Sequence, residues 1–157
     1  FQTVRDLKNA SVAATSPTSF EGWTVAMGEI HSQVGQAENF FKTPIFTGYG
    51  LPDVATTVLS GEADVGILSA CELERLEETG SIPTSSLRPI GVKPFPSLPC
   101  LTSTDLYPDT IFAALPNAPS PLVKTMTVAL LTMPSVKSES DWGFSSNFAH
   151  IRLLFLP

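Results

Sequence analysis

At 157 residues and a net charge of −6, with nine Lys and Arg against fifteen Asp and Glu, the chain suffices for one domain of ordinary size and is too short for two full lobes of about 100 residues each. The acidic balance argues against a nucleic-acid partner, because grip on a phosphate backbone comes from basic side chains that release counterions. Charged residues are only 15%, against about 25% in ordinary domains, which excludes a charged disordered tail.

Ser11–Thr15 is a short run of small and apolar residues and reads as a strand. The turn residues Ser16-Pro-Thr-Ser19 follow, then a helix over 19–34 in which Trp23, Met27, Ile30 and Val34 recur at helical spacing. Thr18 and Glu21 read as its capping box and Gly35 as its stop. The pattern repeats at once: a strand at 43–47, a Gly48-Tyr49-Gly50 turn, and a helix over Leu51–Ser60 with Pro52 in its first turn and Gly61 at its exit. Ala63–Leu68 reads as a third strand and Cys71–Thr79 as a third helix, with Leu73 and Leu76 inward, Glu72, Glu74, Glu77 and Glu78 wet, and Gly80 at its end.

Leu87–Val92 reads as the next strand, before Pro94, Pro96, Pro99 and Pro108 mark an extended connection. Beyond it, Ile111–Leu115 reads as a strand, and Ser120 and Pro121 open a helix that Pro134 stops. Residues 135–146 read as loop and Asn147–Leu156 as a last amphipathic helix. The longest apolar run, Val128–Met133, is broken by Thr132 and is far short of the roughly 18 residues of a membrane span. Three strand-to-helix units in succession predict right-handed crossovers and an α/β fold: a mostly parallel sheet with helices on both faces.

In such a sheet every strand-to-helix turn lies at the carboxyl edge, so Ser16–Phe20, Gly48–Leu51 and Ser69–Cys71 should open onto one rim. A helix N-terminus presents unpaired N–H groups and partial positive charge, and Ser16, Thr18 and Ser19 add hydroxyls, so an anionic group fits the first turn. The plainer reading is that Thr18 and Ser19 only cap their own helix. Tyr49, between two glycines, can offer a ring and a hydroxyl to a rim ligand.

An enzyme is disfavoured. His31 and His150 have no nucleophile or carboxylate at a motif distance, Asp64 reads as a buried carboxylate satisfied by N–H groups or hydroxyls, and no P-loop, GxGxxG turn or HExxH is present. Cys71 and Cys100 lack a CxxC or Cys/His pattern, which disfavours zinc and leaves two buried thiols, the simpler reading, or one disulfide. No cofactor is expected. The chain opens on Phe1 with no basic segment and cleavage site ahead of it, so it reads as a mature or excised piece.

Asp6-Leu-Lys-Asn-Ala-Ser-Val-Ala13, Ser16-Pro-Thr-Ser-Phe-Glu-Gly22, Phe46-Thr-Gly48, Val58-Leu-Ser-Gly-Glu-Ala-Asp-Val-Gly66 and Leu73-Glu74 resemble the phosphate/phosphite/phosphonate periplasmic binding protein family. Ser103-Thr-Asp-Leu-Tyr-Pro108 and Phe112-Ala-Ala-Leu-Pro116 are similar to the version fused to bacterial sensor histidine kinases, such as tetrathionate sensors. The resemblance implies a type II periplasmic binding fold with a ligand cleft. Residues 1–93 would be its second lobe and 94–157 the crossover and returning segment of the first lobe, whose N-terminal half is not in this sequence. It also implies that Ser16, Thr18 and Ser19 form the anion-holding turn. Phe20 and Glu21 precede Gly22 where family members typically read Ser-Thr-Ser-Gly, which leaves the anion's identity open. Tyr49, Ser69 and Cys71 occupy the other two rim turns.

The implied function is a periplasmic ligand-sensing domain of a histidine kinase that binds a small anion and reaches the membrane only through flanking segments. The alternatives are a solute-binding component of an importer and a degenerate lobe used for dimerisation. The apolar residues of 101–157 point to a homodimer contact or to a segment folded across its own sheet.

Overall fold

The computed structural model describes residues 1–133 apart from 36, 49, 97, 109 and 110, so Tyr49, the loop at 135–146 and the helix expected over Asn147–Leu156 lie outside the described residues. The chain divides into two compact units, one built on Phe1–Leu106 and one on Tyr107–Ala149.

In the first unit a 3₁₀ turn, Val4–Leu7, precedes β1 (Ser11–Ala14). A π-helical turn, Phe20–Thr24, runs directly into α1 (Val25–Val34), followed by β2 (Thr43–Phe46), α2 (Leu51–Leu59), β3 (Val65–Gly66) and α3 (Glu72–Glu78). The sheet order is β2-β1-β3, and β1 is parallel to both neighbours, with Val12 opposite Pro44 and Val65. The expected parallel α/β arrangement is therefore present. β1 is central because its run of small apolar residues can be buried on both faces. Val12 packs with Ile30, Phe40 and Phe41 on the α1 side, while Ala13 packs with Val54 and Ala63 on the α2 side. α3 lies behind α2, where Leu76 meets Ala55 and Ile82. β2 is an edge strand, exposed at Thr43 and Pro44, where a proline costs no central ladder bond.

Several expectations are corrected. The helix after β1 is capped by Ser19, whose Oγ accepts from Gly22 N at 3.0 Å, and not by Thr18. Pro17 is the cause: it favours a tight turn closed by Ser19 N donating to Ser16 O, which uses Thr18 as a turn residue and leaves Ser19 the first position free to cap. Residues 87–92 form no strand. Pro89 lacks an N–H, Gly91 sits at φ +65, and the segment bonds instead to the N-terminus through Gly91 N to Gln2 O and Arg88 Nη2 to Phe1 O. Glu72 is buried rather than wet, because Arg75 grips it with two bonds of 2.6 and 2.7 Å. Cys71 and Cys100 form a disulfide rather than two thiols.

The connection after Ile90 turns back on itself. Lys93 pairs antiparallel with Thr102, and Lys93 Nζ reaches both the buried Glu29 of α1 at 3.2 Å and Asp105 at 3.0 Å. Partial burial works against the Lys93 charge, but the hydrogen bonds to Asp105 and Glu29 outweigh it and hold the pKa above the ordinary lysine value. In the second unit, α4 (Ser120–Leu131) starts at the Ser-Pro signal as expected, while Ile111–Leu115 is irregular instead of a strand. An apolar run alone does not separate a strand from an extended connection.

Asp64 joins the amino ends of β1 and β3. It is exposed rather than buried, and its partners are of the expected kind: its carboxylate accepts from Ser11 Oγ at 2.7 Å and Ser11 N at 2.8 Å. Those bonds, the hydroxyl first, lower its pKa. A depressed carboxylate stabilises the fold above its unfolded pKa, and that contribution is lost as pH falls through the folded value. Acid unfolding of Asp64→Asn, followed by circular dichroism below pH 5, should therefore show a shallower pH dependence than the parent. An identical acid limb would show that the Ser11–Asp64 bonds do not link the strands.

Candidate functional site

The carboxyl ends of the three strands form a rim, and β1 supplies its centre. Thr15, the residue after β1, is 5% exposed. Its carbonyl accepts from Gly48 N at 2.9 Å, which fixes the turn after β2 beside it. Continuing the Ala13–Gly66 register of β1 and β3 brings Ser69 opposite Ser16. The Ser16–Phe20 and Ser69–Cys71 turns thus lie on the same edge as the turn after β2.

Hydroxyl bookkeeping separates the residues at this rim. Ser16 Oγ and Thr18 Oγ1 are 3.0 Å apart and bonded to each other, and Ser16 Oγ also accepts from Thr18 N. Ser19 Oγ is committed to its cap on Gly22 N. Phe20 opens the helix as its first, half-buried residue, and its carbonyl accepts from Val25 N. Cys71 has no free thiol, so only its backbone is available. By contrast, Thr15 Oγ1 and Ser69 Oγ are buried and make no hydrogen bond to any described residue. A buried hydroxyl left unpaired costs about 1 to 3 kcal/mol, so two at one edge of the sheet call for an acceptor. Sequence reading singled out Ser69 but passed over Thr15. The signal was present, since Thr15 is the one polar residue closing an apolar strand, directly before the turn.

Gly22 lets these groups converge. A Cβ placed on it would lie within a bond-like distance of Thr15 Oγ1 and 2.8 Å from Ser19 Oγ. The hydroxyl of Thr15 therefore sits against the first helical turn, where the leading N–H groups have no intrahelical partner. The site has donors and a helix end. Glu21, in the same turn, is exposed to solvent, so recognition here rests on neutral hydroxyls and amides.

A second concavity of about 400 Å³ runs along the free side of β3. It is lined largely by apolar groups, among them Val4, Val65, Ile67, Ile90 and Leu101. Its lining also includes Ser69 and Cys71 of the third rim turn, and Arg88. Among the described residues no cluster of His, Cys, Asp and Glu has metal-binding geometry, and no helix is long and apolar enough to cross a membrane.

A parallel α/β unit with a polar rim at its carboxyl edge is the frame of a solute-binding lobe. The model of the phosphonate ABC transporter periplasmic substrate-binding protein family matches residues 1–150, and the chain belongs to that family. This is a family of ligand-binding proteins and not of enzymes, so the chain's role is binding or sensing. The chain is also similar to the tetrathionate sensor histidine kinase TtrS of Salmonella typhimurium, 30% identical over 152 residues, which cover 97% of this chain and 25% of that protein. It spans about a quarter of that relative's length.

Gly22→Ala should be disruptive out of proportion to one methyl group. The added Cβ collides with a buried β-branched residue and with the cap, and such overpacking costs about 1 to 3 kcal/mol. Urea unfolding is the check, and a variant as stable as the parent would mean that Thr15 is not held against Gly22.

Proposed function

We propose that the chain is the extracytoplasmic sensing domain of a membrane-bound histidine kinase and that it binds a small oxyanion at the rim between Thr15 and Ser69. The observation that carries this reading is two buried hydroxyls without a described partner at the carboxyl edge of the sheet, that of Thr15 lying against the first turn of a helix. An oxyanion brings several charged acceptor oxygens, and bonds to a charged acceptor are roughly twice as strong as neutral ones. The helix end adds favourable potential over the few ångströms that matter, which a net charge of −6 does not cancel at contact range.

Two further points support it. The similar protein is by name a tetrathionate sensor kinase, and its match to nearly the whole of this chain favours sensing over import as the setting. The Cys71–Cys100 disulfide suits an oxidising compartment such as the periplasm. In this reading residues 1–93 form one lobe of the binding fold, and 94–157 carry the crossover and the returning part of the other. Occupancy of the rim shifts the balance between lobe arrangements and so reaches the kinase, which is the general form of a ligand-driven population shift. Ser16, Thr18, Ser19 and Phe20 shape the turn, the Cys71 backbone belongs to the third rim turn, and Thr15 and Ser69 are the donors.

The test exploits opposite signs in binding and stability. Calorimetry against phosphate, methylphosphonate, sulfate, thiosulfate and tetrathionate should identify one oxyanion class bound by the parent. Thr15→Val and Ser69→Ala should each weaken that binding about tenfold or more, the worth of a hydrogen bond to a charged group. Each should leave thermal stability unchanged or raised, since it removes an unpaired buried hydroxyl. Undiminished affinity in both variants would refute the proposal.

A further inference from the structure

We propose that the Cys71–Cys100 disulfide is a thiol-sensitive pin on the third rim turn, holding Ser69 in place while oxidised and releasing it on reduction. The consequence for anion affinity rests on the rim assignment made above; the pinning itself does not.

The bond ties two segments with different duties. Cys71 closes the Ser69–Cys71 turn and starts α3, while Cys100 is buried in the connection that returns to pair at Thr102. Cys71 is held at φ +62, a left-handed conformation that is costly for any residue with a Cβ and persists only where the surroundings enforce it. The covalent link to Cys100 is one such restraint. Two residues earlier, Ser69 has a buried hydroxyl with no partner, while its carbonyl accepts from Glu72 N at 3.2 Å. Opening the link allows Cys71 to leave the left-handed region, which swings the Ser69–Ala70 backbone and carries the Ser69 hydroxyl off the rim. The change is local, because the returning segment keeps a second tether in Leu101 N to Glu74 Oε1 at 3.0 Å.

A dithiol performs the opening in two exchanges. A reagent thiolate attacks Sγ of Cys71, the more exposed of the pair, forming a mixed disulfide and expelling the Cys100 thiolate, which takes up a proton. The second reagent thiolate then attacks the reagent sulfur of that mixed disulfide and expels the Cys71 thiolate, which is protonated in turn. The reagent leaves as its cyclic disulfide; the protein has gained two electrons and two protons.

Amide hydrogen exchange resolved by residue, with and without dithiothreitol and with reduction verified by mass, tests the pin in the ligand-free protein. The Glu72 amide should exchange at least about fivefold faster after reduction, while the Gly48 and Ser60 amides, bonded to Thr15 O and Thr56 O, should not change. Two double variants separate pinning from general loosening. Cys71→Ala with Cys100→Ser should behave as the reduced parent, whereas Cys71→Gly with Cys100→Ser should exchange more slowly, because glycine occupies the left-handed region without strain. Unchanged Glu72 exchange on reduction, or equal rates in the two variants, would overturn the proposal. Affinity for whichever of phosphate, methylphosphonate, sulfate, thiosulfate and tetrathionate the oxidised parent binds, measured on the same samples, should fall at least about fivefold on reduction, a typical coupling factor. If the oxidised parent takes none of these five while Glu72 exchange responds, the rim assignment fails and the pin stands.

Discussion

Burial of Ser11–Ala14 on both faces is the constraint on which the rest of the first unit depends. With Val12 directed to the α1 side and Ala13 to the α2 side, β1 has no wet face and takes the centre of the sheet. Joined to its neighbours through helical crossovers, β1 is parallel to both β2 and β3, and parallel pairing sends every following turn to one edge. The position of Thr15 follows: it is the first residue past the buried strand, 5% exposed, and its hydroxyl has no described partner. A polar side chain there is a standing deficit in hydrogen bonding that a protein without a ligand has no reason to keep.

The returning connection is held to both rim helices. Glu29 of α1 is buried and takes the Lys93 ammonium and the Asp105 N–H, while α3 is joined through Cys71–Cys100 and through Glu74 to Leu101 N. Partly buried charge pairs and a covalent bond resist local opening more than surface contacts do. The segment between the elements is thus a fixed part of the unit.

Much of this was legible in the chain. The small-apolar run at Ser11–Thr15, the glycines after each helix and the proline in the first turn of α2 act locally, through backbone conformation and burial, and they place β1, β2 and the three helices within a residue or so, while β3 is only Val65–Gly66 of the expected Ala63–Leu68. What escaped reading depends on specific pairings that composition does not show. Leu87–Val92 has the composition of a strand, but Pro89, Gly91 and bonds to Gln2 and Phe1 decide its path. Glu72 resembles its acidic neighbours, yet Arg75 lies one turn on and lets it be buried. At the rim, sequence marked Ser16, Thr18, Ser19 and Ser69; Ser16 and Thr18 bond to each other and Ser19 caps Gly22 N, while Ser69 and the unmarked Thr15 keep hydroxyls that no described residue pairs.

The central claim is that ligand chemistry belongs to the carboxyl-edge turns Thr15–Gly22 and Ser69–Glu72 and not to the apolar walls of the concavity at Val65, Ile90 and Leu101. Backbone amide chemical shifts during an oxyanion titration of the oxidised protein test it most directly. The account predicts saturable shifts concentrated at Thr15–Gly22 and Ser69–Glu72. Shifts centred instead on Val65, Ile90 and Leu101 would contradict it.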